Sequence, residues 1–216
     1  MIKEIPQMGN VPFGKFYNKK NIKIIDLNTS PIKNVRLVKR ISNKTLEKCI
    51  DNTYIFSLLS KRKVYYVYEC IPQKLLSYYR YDIYIKYFYV KSYVEKSNYM
   101  LAKRIYLSNI KAFNNFKEPD GRKVCKRDFI INFNNLINSI RNEKKIKTII
   151  PISKTGIPID GAHRIAICLY FNINIPFVVF DLLDGKYDKE FFENRGMKRK
   201  YIEFVDEFIK IERLEL

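Results

Sequence analysis

Leu136–Asp181 reads LINSIRNEKKIKTIIPISKTGIPIDGAHRIAICLYFNINIPFVVFD, and its order of apolar runs and breakers decides the fold. It enters on a helix: from Arg127 to Arg141, Phe129, Phe133, Leu136, Ile137 and Ile140 share one face at three- and four-residue steps. The β-branched run Lys147–Ile152 then predicts a short strand. Ser153-Lys154-Thr155-Gly156 reads as a hairpin turn leading to a second run, Ile157-Pro158-Ile159. After Asp160-Gly161 a helix is expected over 162–171, and Pro176–Phe180 predicts a closing strand.

The chemistry concentrates in Asp160-Gly161-Ala162-His163-Arg164, at the junction of strand and helix. Gly161 lets a ligand approach the backbone just where the first helical N–H groups lack partners and the helix dipole is positive, the makings of an anion site. Arg164 adds a guanidinium suited to two-point contact with phosphate. Asp160 can hold a metal ion or orient a hydroxyl. His163 is the only histidine of the chain and falls inside this pentapeptide.

Outward from this segment the pattern is less regular. Residues 1–35, rich in Asn, Lys and Pro, read as an arm or lead-in. Tyr54-Ile55-Phe56 and Val64–Tyr68 give weak strand and helix signals. Between Ser77 and Phe113 apolar spacing predicts two amphipathic helices parted near 92–98, although the tyrosines there suit strand as well. A turn is expected at Pro119-Asp120-Gly121, and a last helix at about Lys198–Ile211, with Ile202, Val205, Phe208 and Ile209 on its apolar face.

Composition bounds the rest. The 216 residues suffice for one sizeable core or a core with a helical extension. No run of about eighteen apolar residues occurs, so no membrane span is expected, and with no apolar leader at Met1–Pro6 the expected location is cytoplasmic. Cys49, Cys70, Cys125 and Cys168 form no CxxC pair, which argues against a Cys/His zinc site. A net charge of +19 attracts polyanions of any kind, nucleic acid included, but AT-rich coding would also raise Lys, Asn, Ile and Tyr together.

The segment from Phe129 to Asp181, with its Asp-Gly-x-His-Arg box opening a helix between strands, resembles the core of the ParB/sulfiredoxin superfamily. The resemblance covers about a quarter of the chain and implies a box that cradles nucleotide phosphates. Sulfiredoxins carry a nucleophilic cysteine just before the His-Arg; Ala162 stands here and Cys168 lies within the helix, which disfavours sulfinic-acid repair. The Gly-Glu-Arg-Arg box of the partition proteins is missing. The box is most similar to that of the free-serine kinases, in which a glutamate ahead of the preceding helix is the base; Glu118 is the matching candidate. The N-terminal part resembles ParB-like proteins found with surface-polysaccharide genes, with Arg80-Tyr81-Asp82 and Lys86 in the matching stretch.

The expectation is therefore an α+β fold: a small mixed sheet of the ParB/sulfiredoxin kind with helices, a partly helical extension over 1–115, and a core with its C-terminal helix over 116–216. The expected activity is an ATP-dependent kinase acting on a hydroxyl of a small molecule or surface-polysaccharide precursor. Gly161, Ala162, His163, Arg164, Lys154 and Thr155 would bind the nucleotide, Asp160 would hold Mg²⁺, and Glu118, Asp160 and His163 would be catalytic. Arg80, Asp82 and Lys86 would meet the acceptor. The alternatives are a ParB-like nucleic-acid-binding protein or nuclease, or a non-catalytic nucleotide-binding module.

Overall fold

The computed structural model describes residues 30–51, 62–118, 121–182 and 184–214. The expected lead-in up to residue 29, Tyr54-Ile55-Phe56, Pro119 and Asp120 lie outside them. The fold is α+β, with a four-stranded mixed sheet and, among the described residues, seven α-helices. In chain order the elements are β1 (Arg36–Ser42), α1 (Asn43–Cys49), β2 (Val64–Cys70), α2 (Tyr81–Glu95), α3 (Tyr99–Asn114), α4 (Lys126–Glu143), β3 (Ile150–Ile152), α5 (Ala162–Phe171), β4 (Ile175–Val179), α6 (Lys189–Glu193) and α7 (Arg199–Ile211). The strands stand in the order β1-β2-β4-β3, so the sheet takes two strands from each half of the chain. β2 runs antiparallel to both β1 and β4, whereas β3 and β4 are parallel and joined through α5.

That β3-α5-β4 crossover frames the box. Its outer breakers act through backbone conformation: Gly161 starts α5 at φ +90°, and Asn172 ends it at φ +52°. Pro176 is tolerated in an inner strand because β3 begins pairing one residue later, at Phe177. The expected hairpin is reduced to a single antiparallel bridge, Ile152 with Pro158. Ser153 N–H bonds the Ile157 carbonyl at 2.8 Å and Ile159 N–H bonds that of Pro151 at 2.9 Å, but Pro151 has no N–H to return the bond to Ile159 and extend the ladder. The residues 153–160 are therefore a looped return from β3 to the head of α5.

α2 is the central helix. Both helices expected between Ser77 and Phe113 are present, but α2 is buried nearly all round, including Tyr84, Lys86, Phe88 and Tyr89. A helix wrapped on every side carries no one-sided apolar stripe. It packs on α5 and α3, and α7 closes over it with Phe204 and Phe208 at 5.0 and 4.9 Å from the Phe88 ring. Tyr81 fixes that closure by donating to the Ile202 carbonyl at 3.0 Å. α4 is held at its start by Asp128, which accepts from Val124 and Cys125 N–H at 2.9 and 3.1 Å. No helix among the described residues is long and apolar enough to cross a membrane.

Candidate functional site

Gly161 sits against the sheet so closely that a Cβ there would overlap the Ile150 side chain, on a backbone conformation that L side chains rarely adopt. Lacking a side chain, it also leaves the first turn of α5 uncapped. The positive end of α5 and its leading N–H groups are thus presented at the helix head. Ala162, next in line, is buried.

Arg164, also buried, turns back over this head. Its guanidinium donates to Thr148 Oγ1 and, at 3.1 Å, to Asp160 Oδ2, and lies 3.6 Å from Asp51 Oδ2. Arg122 reaches the same Asp51 at 3.6 Å. Asp160 and Arg164 thus hold each other at the site.

His163 points the other way, into aromatic surroundings. Its Nε2 shares a 2.9 Å hydrogen bond with the Tyr106 hydroxyl, and its ring stands edge-on to Phe133 at 4.5 Å. Burial pushes the imidazole well below its ordinary value, and the ammonium groups of Lys86 and Lys123 push further in the same direction, only partly offset by Asp82. His163 is therefore neutral at physiological pH. Tyr106 keeps its proton as well, since burial and the nearby Glu118 raise its hydroxyl far above the usual range.

These groups open on a cavity of about 380 Å³, within the size range of small-ligand sites. Asp160, Gly161, His163 and Arg164 line one side. Across it stand Glu118, Arg122 and Lys123 from the α3–α4 connection, Tyr106 of α3, and Phe129, Asn132, Phe133 and Leu136 of α4, with Asp51 at the edge. Glu118 is tied to Lys123 by a 2.8 Å ion pair and by its own N–H to the Lys123 carbonyl at 2.9 Å, while Gly121 N–H bonds back to the Glu118 carbonyl at 3.0 Å. Sequence reasoning missed Asp51, Tyr106, Arg122 and Lys123. Arg122 and Lys123 left a trace in the sequence, as cations four and five residues past Glu118.

The remaining expected site residues lie elsewhere. Lys154 pairs with Asp181 at 3.3 Å and Thr155 donates to Asp184, so both tie the return loop to the segment after β4 and neither lines the cavity. Arg80, Asp82 and Lys86 are buried at the start of α2 behind the box. Asp82 accepts from Arg80 Nε and Nη2 at 2.9 and 3.1 Å and from Lys86 Nζ at 2.9 Å. Burial raises the Asp82 carboxyl, but the two cations outweigh it and hold it well below the usual carboxylate range. These three side chains meet one another rather than the cavity.

No group of three or more His, Cys, Asp or Glu side chains among the described residues is placed to hold a metal ion. Cys168 is buried inside α5, and burial pushes its thiol up to about 12, which leaves it unreactive. No family model, curated protein or solved structure matches the chain.

Proposed function

We propose that the chain is an ATP-dependent phosphotransferase that acts on a hydroxyl of a small molecule or of a surface-polysaccharide precursor. One observation carries the reading: Glu118 and the Asp160–Arg164 box, distant in sequence, line the same cavity at an uncapped helix head. The leading N–H groups of α5, Arg164, Arg122 and Lys123 give the triphosphate its donors and countercharge. Asp160 would hold Mg²⁺, which when bound neutralises charge on the β- and γ-phosphates. Glu118, across the cavity, takes the acceptor's hydroxyl proton as its oxygen bonds to the γ-phosphorus and ADP leaves. His163, kept neutral, orients through Tyr106 and adds no charge of its own. Phosphoryl transfer asks for little beyond such placement and charge neutralisation.

Turnover of ATP, as hydrolysis until an acceptor is known, tests this with Glu118→Gln beside Asp160→Asn. Glu118→Gln keeps the shape but cannot take a proton, so turnover should fall roughly 10²–10⁴-fold with nucleotide affinity nearly intact. Asp160→Asn should weaken magnesium-dependent nucleotide binding as well as turnover. A wild-type protein that ignores ATP yet binds DNA selectively at nanomolar concentration and physiological salt would overturn the proposal in favour of a nucleic-acid role.

A further inference from the structure

Two cations and a single carboxylate are buried together behind the box. Arg80, Asp82 and Lys86 are 4, 3 and 5% exposed, and their side-chain hydrogen bonds run among themselves and to Pro158 and Asn109. Asp82 grips Arg80 at two points, at 2.9 and 3.1 Å, which fixes the plane of the guanidinium. The remaining guanidinium nitrogen donates to the Pro158 carbonyl, two residues before Asp160. Arg80 also stands 5.3 Å over the Tyr187 ring. The return loop is thereby pinned on one side by Arg80 and on the other by the Ile159 N–H to β3.

The charge does not close. Lys86 bonds Asp82 at 2.9 Å, and among the described residues its other side-chain hydrogen bond goes to the carboxamide oxygen of Asn109, at 3.5 Å. Asn109 is fully buried, and its Nδ2 has no partner among the described residues. An aspartate there would be nearly the same size, would face Lys86 with a charged oxygen and would leave no orphaned donor. The chain instead places a neutral amide where a carboxylate would cancel the buried excess.

We infer that Arg80, Asp82 and Lys86 form a positioning clamp with an uncancelled positive charge, which seats Asp160 at the head of α5 and keeps the cavity receptive to a polyphosphate. This deepens the phosphotransferase reading and rests on it for the identity of the anion. The charged groups near the cavity's histidine fit the inference: Lys86, Lys123 and Arg164 all disfavour its protonation, and Asp82 opposes them. Burial pushes the Lys86 ammonium below its ordinary value, with Asp82 and Asp160 opposing it, whereas burial of Arg80 is outweighed by the Asp82 carboxylate, helped by Asp160, which raises the guanidinium.

The single histidine makes the clamp measurable, because His163 gives one imidazole signal in the NMR spectrum of the whole chain. Its titration and the calorimetric affinity for inorganic pyrophosphate and for Mg·ATP are to be compared in wild type, Lys86→Met and Asn109→Asp, with Lys91→Met as a control on the half-buried last turns of α2, where the lysine pairs with Glu95 and Glu212. Removing the charge or cancelling it should act alike: both variants should raise the His163 midpoint and weaken pyrophosphate binding about tenfold, while the control changes neither. A purely mechanical clamp would respond to Lys86→Met and not to Asn109→Asp. If Lys86→Met does not fold, Asn109→Asp decides alone, and a His163 titration and an affinity both superimposable on wild type in that variant overturn the inference. If the wild type binds neither anion, the phosphotransferase reading fails, and the clamp's charge then stands or falls on the His163 titration.

Discussion

Gly161→Ala tests the geometry on which both fold and site depend. The substitution adds one methyl group at φ +90° and drives it into Ile150, itself wholly buried under α5. Holding an alanine in the left-handed region costs about 1–2 kcal/mol, and overpacking a closed core costs about 1–3 kcal/mol. The sum, about 3 kcal/mol, corresponds to a fall in Tm of about 6–12 °C for a chain of this length. The overlapping atom is Ile150 Cδ1, which valine lacks, while the Cγ1 that valine keeps is at an ordinary 3.5 Å. Ile150→Val alone should cost about 0.5–1.5 kcal/mol for the lost methyl group. The double variant should be more stable than the sum of the two losses by about 1–2 kcal/mol, with the backbone part of the glycine's cost left unrelieved. Urea denaturation of the four proteins closes the cycle. Additive losses would refute the overlap with Ile150, and an alanine variant as stable as wild type would refute the whole account of the turn.

Arg164→Ala should lower stability as well as nucleotide affinity, because it strands Thr148 and the half-buried Asp160; each loss should be about 1.5–3 kcal/mol, read by denaturation and by calorimetry with Mg·ATP. His163 gives a pH prediction of definite sign. Its folded-state value is depressed below the unfolded one, so the stability it confers is complete above the unfolded pKa of about 6.5 and is lost as pH falls. As pH falls below about 6 the unfolding free energy should drop, by at most about 1.4 kcal/mol per pH unit, and a His163→Gln variant that keeps the wild-type slope would show that the proton is taken up elsewhere.

What could be read from the sequence follows from where the controlling forces act. α5 was legible to the residue, Ala162–Phe171, because Gly161 and Asn172 punctuate it through local backbone preference. α7 likewise shows one apolar face, since it covers the core from outside, with Ile202, Val205 and Phe208 buried. The second strand of the expected hairpin was not legible. Ile157-Pro158-Ile159 has the composition of a strand, but β3 spends its parallel edge on β4, and proline stops the ladder on the other. Arg80, Asp82 and Lys86 have the spacing of a wet helix face, and nothing local marks them for burial. That outcome depends on α3, α5 and the return loop closing around α2.

The same distinction separates the legible part of the site from the rest. In the box, one residue serves both needs: the glycine that lets α5 pack hard against Ile150 is also the reason its first turn lacks a cap. Fold and anion site share a cause there, so a local sequence pattern reports both. Glu118, Lys123, Tyr106 and Asp51 reach the cavity through separate packing events, from the α3–α4 connection, from α3 and from the end of α1. Glu118, Lys123 and Asp51 could change identity without disturbing the elements that carry them, whereas Tyr106 is buried against Tyr89 and Phe133. Substitutions in the box should therefore trade stability against binding, as Gly161 and Arg164 do, whereas Glu118→Gln can abolish turnover in a protein that folds and binds almost as before. Locating the cavity's far wall requires the tertiary fold, since only the packing of α3 and α4 on α5 brings those side chains to the glycine.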